Sequence, residues 1–516
     1  EQAVQTVPDL QAYYSQPKYR ELIDLAQKVE GNVRHSSVHA AAIVITDKPM
    51  SDYTAIQVDS KSGKTITQYD MYALDCNVSD DAIGLLKFDF LGLRNLSIIQ
   101  TTRNLVKQQR NKVIDVDNLP LDDKKTFELL ASGDTMGVFQ LESAGMRRVA
   151  RSLRPTQFSD IMALVALFRP GPMDLIPQFI EGKHNPNTIA YPHETLKPVL
   201  EETYGVMVYQ EQILEIAHVM AGYSLGEADI LRRAIGKKKK KLLDKNRQRF
   251  ITESVKKNYT KAVAEKVWGF IEAFANYGFN KAHAASYAMI AYQTAYLKAN
   301  FPIEYMTALM SVESGSSAQT RDEKVAQAIE ECKKMNIRVL PPDINRSERD
   351  FTIEKLEGKK DAYAIRFGLN AIKHVGSAAI DTIIATREKV KKFNSLTQSI
   401  AETDSRKVNK TTLECLIKVG AMDSFGTRAS MLENLEEIRK RISGINSTDD
   451  GQDTLFAGVG HTELAMKDTF VKIPEYPKAE LLSFEKELLG LYLTEHPMAN
   501  ALKTVEKQAN KKISEI

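Results

Sequence analysis

The sequence predicts an α+β chain that is mostly α. Short runs between residues 41 and 94 alternate apolar and polar residues with a period of two, the signature of strands. Most of 95–340 instead carries helical periodicity, broken by Pro and Gly. At ~100–200 residues per domain, 516 residues suggest three or four domains.

The first helix is expected over 15–31, SQPKYRELIDLAQKVEG, with Ser15 as N-cap and Pro17 in the first turn. Leu22, Leu25, Ala26 and Val29 form one apolar stripe, and Gly31 is a natural stop. Strands follow at 41–47, 54–59 and 64–70, the last two flanking the hairpin-like turn SKSGK. A fourth strand spans LLKFDFLGLR at 85–94. Its Leu85, Lys87, Asp89 and Leu91 point one way, and Leu86, Phe88, Phe90 and Gly92 the other. Together these runs predict a small sheet region.

Beyond it the chain breaks at RPTQ (154–157) and FRPGPM (168–173). Ser224 and Glu227 mark a helix start as a capping box. A long helix over 283–300 ends before Pro302. Residues 337–352 read as an extended linker into a new module. Residues 363–384 then read as strand, helix, tight turn and helix, with more helix at 411–426. Residues 442–454 are polar, and two helical segments close the chain near 475–493 and 499–512.

Composition excludes several classes. No run approaches the ~20 apolar residues of a membrane span, and no signal peptide is visible. Cys76, Cys332 and Cys415 are far apart, without CxxC or structural-zinc spacing, so no zinc is evident and a reducing cytoplasm is expected. The first residue is not Met, and the chain reads as cut from something longer. Net charge is +3, near neutral, yet Lys237–Lys241 is an unbroken run with Arg232 and Arg233 just upstream. Such a block suits either a polyanion groove or a solvated helix face.

Several constellations could carry chemistry. Lys87 and Asp89 put an ammonium and a carboxylate on one strand face. That pattern fits a phosphoryl- or nucleotidyl-transfer metal site, or an ordinary cross-strand ion pair. Asn280, Lys281 and His283 surround an expected helix start, where free N–H groups suit an anion. His35 and His39 are four apart but lack a neighbouring Glu, so a single His facing a phosphate is the better functional reading than zinc. Tyr287, Tyr292 and Tyr296 read as core packing before base stacking.

AIKHVGSAAIDTII resembles a helix-hairpin-helix, whose Gly-hydrophobic-Gly turn lets backbone N–H groups approach a DNA phosphate. Here His374 takes the first glycine position and Gly376 the second; Lys373 precedes them. Gln452, Leu455 and Phe456 of QDTLF form a short peptide suited to an apolar pocket on a partner.

The order of LLKFDFLGLRNLSII, GVFQLES, ALVALFRPGPM, YGVMVYQEQI, GYSLGEADILRRAIGKKK, YGFNKAHAASYA and LPPDIN closely resembles the family C replicative DNA polymerases, the bacterial polymerase III alpha subunits. The resemblance covers nearly the whole chain. It implies a polymerase beta-like palm, a helical fingers domain and a helix-hairpin-helix module. By this resemblance, 1–38 are the end of the thumb, 39–95 a palm segment and 96–340 the fingers. Residues 341–440 are then the helix-hairpin-helix region, and 441–516 the clamp-binding peptide and the start of the next domain.

The implied activity is template-dependent transfer of deoxynucleotides from dNTPs to a primer end, with two Mg²⁺ ions. Asp89 matches the third aspartate of the family's catalytic triad, Lys87 its neighbouring lysine and His39 a palm histidine, followed here by alanines instead of paired glycines. The PDxDxDF motif carrying the other two aspartates, the preceding PHP domain and the Gly-Ser palm motif are absent from this sequence. The fragment is therefore expected to be inactive alone. Arg232 and Arg233 match triphosphate-facing finger arginines, and Lys281 and His283 lie in a segment near that site. Lys237, Lys238, Lys373 and Gly376 are the implied DNA contacts, and QDTLF the sliding-clamp motif. A proofreading exonuclease and clamp-loader subunits are the further implied partners, with cytoplasmic, nucleoid-associated localisation and no membrane. The alternative is a non-catalytic paralogue that binds DNA and clamp.

Overall fold

A computed structural model of the chain describes residues 2–498, except 33–37, 61, 77, 80, 237–239, 275–277, 317–318, 357, 359–361, 448–467, 469, 472 and 496. Side chains at 233–236, 240–242, 273 and 444–447 are likewise outside the described set. The chain divides into two compact units, Glu1–Leu93 and Arg94–Ile516, and each is described by itself.

The first unit begins with α1 (Gln2–Thr6), α2 (Pro8–Tyr14) and α3 (Pro17–Val29). Pro17 opens α3, where its missing N–H breaks no helical bond, and Gly31 lies just beyond the helix at φ +86°. Ser15 does not cap α3: it closes α2 instead, its amide bonding back to Gln11 and Tyr13 carbonyls. Leu22, Leu25 and Val29 are exposed, so the expected stripe faces no core among the described residues.

Next come β1 (Ala42–Ile45), β2 (Ile56–Val58), β3 (Thr65–Thr67), α4 (Met71–Leu74) and β4 (Leu86–Asp89). They form two separate ribbons in place of one sheet. β2 and β3 pair as the expected hairpin, its turn held by Asp59, which accepts the Ser62 amide through its carboxylate. β1 pairs antiparallel with β4, setting Ala42 opposite Asp89 and Val44 opposite Lys87. β4 is shorter than the predicted 85–94 run, and Phe88 and Phe90 on its aromatic face are exposed.

The second unit opens with α5 (Arg94–Arg110), α6 (Lys124–Ser132), α7 (Ala144–Leu153), α8 (Phe158–Leu167) and α9 (Ile176–His184). Asp123 and Ser143 cap α6 and α7 by accepting amides three residues on. α10 (Lys197–Leu200), α11 (Gln210–Ala221), α12 (Leu225–Gly236), α13 (Lys240–Lys256) and α14 (Lys261–Phe274) follow. They gather around Leu200, Ile216, Tyr223, Phe250 and Trp268. The predicted capping box is present on α12: Ser224 N–H donates to Glu227 Oε2 (2.9 Å), and Glu227 N–H to Ser224 Oγ (3.3 Å).

α15 (Lys281–Asn300) runs through the unit, burying Ala284, Ala288, Ala291 and Ala295. Such small side chains let a neighbouring helix approach closely, and α8 packs there. Tyr292 is fully buried and Tyr287 and Tyr296 half-buried, as the packing reading expects. α16 (Pro302–Ser314) packs on both α5 and α17 (Arg321–Lys334). The buried Lys298 ammonium ties α15 to α17 through Glu331 Oε1 (2.6 Å) and is satisfied further by the Asp134 and Met136 carbonyls.

Residues 337–352 are not a free linker. They hold β5 (Val339–Leu340), which pairs parallel to β7 (Tyr363–Arg366), and lead into β6 (Thr352–Lys355) on its other side. Ile344 and Phe351 are buried in a core that runs from Ile98 through Tyr305 and Phe367 to Leu488. The predicted boundary near 340 therefore falls inside one continuous core. Apolar contact along the whole stretch outweighs its Pro-Pro and charged appearance.

The segment 363–384 also differs from expectation. After β7 comes only a single 3₁₀ turn at Leu369–Ala371, then α18 (Ser377–Val390). α19 (Leu396–Glu402), α20 (Lys410–Lys418), α21 (Arg428–Ser447) and α22 (Lys478–Leu489) complete the described helices. An acidic strap fastens them. Asp468 accepts the Leu396 and Thr397 amides at 2.8 Å, and Glu475 accepts those of Arg428 (2.8 Å) and Ala429 (3.1 Å). Each carboxylate thus fills a helix N-terminus. The closing segment predicted at 499–512 lies outside the described residues.

Candidate active site and nucleotide-facing surface

In the first unit, strand alternation puts Lys87 and Asp89 on one face of β4, and the β1 register brings the chain after His39 alongside. Lys87 Nζ donates to both Asp89 carboxylate oxygens at 2.8 Å. The pair lies within one strand and is not cross-strand. His39 Nδ1 accepts the amides of Ala41 (3.2 Å) and Ala42 (3.0 Å) and lies 3.9 Å from Asp89 Oδ1. Because Nδ1 accepts, the neutral ring carries its proton on Nε2.

The Lys87 hydrogen bond is the main cause holding the Asp89 carboxyl below its ordinary value, with the Lys87 charge adding to it. Asp89 is half-exposed, whereas Lys87 is largely covered. The result is an ionised, accessible carboxylate on a fixed backbone, chemically a hard oxygen ligand. Among the described residues, no group of three or more His, Cys, Asp or Glu could hold a metal ion.

In the second unit, Arg232, Lys281 and His283 gather around a bridge between Tyr209 and Phe279. Gln210 N–H donates to the Phe279 carbonyl and Gln210 Nε2 to that of Gly278. A Cβ on Gly278 would lie 2.9 Å from Gln210 Cγ, so glycine permits this approach. Arg232 on α12 donates from Nη1 to Gln210 Oε1 and from Nε to Asp229 Oδ1, both at 2.9 Å. Its guanidinium is held and only partly exposed. Arg233 lies on the same helix, its side chain outside the described set.

Asn280 caps α15, accepting the His283 amide at 2.7 Å. The free N–H groups expected there are not free. Glu211 Oε2 takes the Lys281 amide at 2.9 Å, while its other oxygen accepts from Asn280 Nδ2. Lys281 Nζ donates to Glu202 Oε2 at 2.6 Å and lies 5.5 Å from the Tyr209 ring centre. His283 packs between the rings of Phe279 and Tyr287. The cations at this helix end thus face carboxylates of the chain itself, which local sequence could not reveal.

Sequence reasoning missed Arg169, Gln210, Glu211 and Glu202. Arg169 stacks over the Phe279 ring at 4.8 Å, and burial pushes its pKa down. Local sequence carries no signal for them, because each meets its partner across distant segments.

Lys237, Lys238, Gln452, Leu455 and Phe456 lie outside the described residues, as does His35. In the hairpin, His374 adopts φ +64°, the left-handed conformation that the missing glycine would take. Lys373 is engaged elsewhere: its amide donates to the Leu488 carbonyl, and its ammonium lies 3.0 Å from Asp322 Oδ2. Gly376 is exposed at the start of α18, and a Cβ there would meet nothing within 4 Å.

Three family models match the chain in sequence order. Residues 1–92 match the bacterial DNA polymerase III alpha NTPase domain, 95–258 the bacterial DNA polymerase III alpha subunit finger domain, and 336–431 a helix-hairpin-helix motif. The chain is 44% identical over 505 residues to the DNA polymerase III subunit alpha of Thermus aquaticus, covering 96% of this chain and 39% of that protein. It is 42% identical over 490 residues to the Bacillus subtilis subunit (95% and 42% covered) and 38% identical over 519 residues to that of Escherichia coli (98% and 43%). The chain therefore spans about two fifths of the length of these curated relatives.

Proposed function

The chain belongs to the bacterial DNA polymerase III alpha-subunit family, and from that premise we propose that it is a segment of a template-directed DNA polymerase. In this reading the whole protein transfers nucleotides from dNTPs to a primer end. The observation that carries it is the His39–Lys87–Asp89 arrangement, an accessible ionised carboxylate inside the segment that matches the first family model. Asp89 serves as one metal ligand, with two aspartates supplied from outside this sequence. Lys87 is a positioning residue that keeps the carboxylate ionised and oriented. Bound Mg²⁺ would stabilise the charge that builds on the transferring phosphate.

Arg232, Arg233, Lys281 and His283 form the surface that faces the nucleotide phosphates. Incoming triphosphate competes with Glu202 for the Lys281 ammonium and with Asp229 for the Arg232 guanidinium, since phosphate and carboxylate use the same donors. Primer–template DNA contacts Lys237, Lys238, Lys373 and Gly376. Of these, Lys373 must first release Asp322. Gln452, Leu455 and Phe456 tether the protein to a sliding clamp, and exonuclease and clamp-loader subunits complete the assembly. Among the described residues no helix is long and apolar enough to cross a membrane.

Primer extension tests this reading. In the whole polymerase, Asp89→Asn is expected to abolish incorporation while DNA binding and the thermal midpoint hold. The chain by itself is expected to incorporate nothing, because one carboxylate cannot hold two metals. A whole-length Asp89→Asn protein that still extends primers would rule Asp89 out. Whole protein that binds DNA and clamp yet never incorporates nucleotide would favour the non-catalytic paralogue.

A further inference from the structure

α7 and its exit turn carry Arg147, Arg148, Arg151 and Arg154, with no Asp or Glu from Ser143 through Ser159. The helix is sharply two-sided: Met146, Ala150 and Leu153 are buried, while Arg148, Arg151 and Arg154 are exposed. At 100° per residue, positions 147, 148 and 151 share one face, which Arg154 extends just past the helix end. Arg147 is committed: its Nε donates to the Gly133 carbonyl at 2.7 Å and its Nη2 lies 4.0 Å from Asp134. The other three are not. Among the described residues, no carboxylate lies within ion-pair distance of Arg148, Arg151 or Arg154.

A bland reading exists for part of this row. Cations near a helix C-terminus offset the macrodipole, which accounts for Arg151 and Arg154. It does not account for Arg148 near the middle of α7. Nor does it explain the backbone at Arg154, which adopts φ +47° and ψ +70°, the left-handed conformation at a helix C-cap. Glycine takes this position without steric penalty, and an L side chain does not. The following Pro155 restricts Arg154 further. An arginine thus stands where glycine would be less strained.

We propose that Arg148, Arg151 and Arg154 form a contact track for the phosphate backbone of DNA. The proposal rests on the polymerase reading above and adds a surface that reading does not use. All three are arginines, whose planar forks grip phosphate oxygens in pairs and remain charged at any working pH. Arg148 and Arg151, three positions apart, are separated by about 4.5 Å of helix rise, close enough for one strand to pass both. Contacts of this kind position the strand without reading its bases.

The test is DNA binding by the full chain across a salt series, with a single-stranded oligodeoxynucleotide in one arm and a duplex in the other. Arg148→Gln with Arg151→Gln should weaken binding and flatten the slope of log affinity against log salt. The expected change is roughly 1.4 for single strands or 1.8 for duplex, at ~0.7 or ~0.9 for each phosphate no longer neutralised. The arm in which the slope falls identifies the strand. Arg154→Gly should raise the thermal midpoint and weaken binding together, an opposition that a purely structural arginine cannot produce. Wild-type binding with unchanged slopes in the double variant, or full binding by Arg154→Gly, overturns the arginine track alone. No DNA binding by the wild-type chain overturns it together with the DNA-binding part of the polymerase reading.

Discussion

Lys87 holds both oxygens of Asp89 at 2.8 Å from its place two residues earlier on the same strand. The interaction keeps the carboxylate ionised and aimed, and it also competes with any cation that Asp89 would bind. Removing the ammonium should therefore let the carboxyl pKa return upward toward its ordinary value. Carboxyl-carbon NMR titration of the chain with Lys87→Met checks this: the Asp89 midpoint should rise from its depressed position. An unmoved midpoint would remove Lys87 as the cause. Asp89 is half-exposed, so water screens the pair and Lys87→Met should barely change stability.

Glu211 fills the N-terminus of the 20-residue helix α15, accepting the Lys281 amide and the Asn280 side chain. Neutralising it with Glu211→Gln should cost about 1 kcal/mol of stability by removing the charge at the helix end. The same change removes a negative charge from the helix end that carries Lys281. A denaturant series, paired with titration of the chain by inorganic triphosphate, should show lower stability and tighter triphosphate binding. Weaker triphosphate binding would mean that Glu211 supports the cations and does not compete for them.

Glu475 caps α21 from the strap. Burial alone would push its carboxyl up, but the amides of Arg428, Tyr476 and Ala429 outweigh that and hold it below the ordinary value. A depressed folded-state pKa stabilises the fold only while the group is ionised. The contribution is present above the unfolded glutamate pKa of about 4.3 and is lost as pH falls through the lower folded value. Glu475→Ala should cost about 1 kcal/mol at neutral pH, the usual cost of removing a helix cap. Wild type and variant should converge in stability below that window. Denaturation curves between pH 3 and 7 test it, and a pH-independent gap would contradict the cap.

Much of the fold was legible because its signals are local. The Ser224–Glu227 box, the Pro17 helix start and the alternation that puts Lys87 beside Asp89 each involve residues within three positions of one another. The failures are also local readings. Ser15 looked like a cap for the helix that follows and instead closes the one before it. Residues 337–352 looked like a linker because of their prolines and charges, yet Ile344 and Phe351 are buried. Periodicity reports which residues could share a face but is silent on what covers that face, as the exposed Leu22, Leu25 and Val29 show.

Residue order alone established the α+β class and an ionisable Lys-x-Asp strand, and the motif order pointed to the polymerase family. Folding decided where charge is spent. Glu211 reaches the Lys281 amide across 70 positions, Asp468 reaches Leu396 across 72 and Glu475 reaches Arg428 across 47. The helix end at 280–283, which read as an open anion site, is filled by the chain's own Glu211. No periodicity encodes such pairings, because each depends on two distant segments being packed against each other before a single hydrogen bond can form.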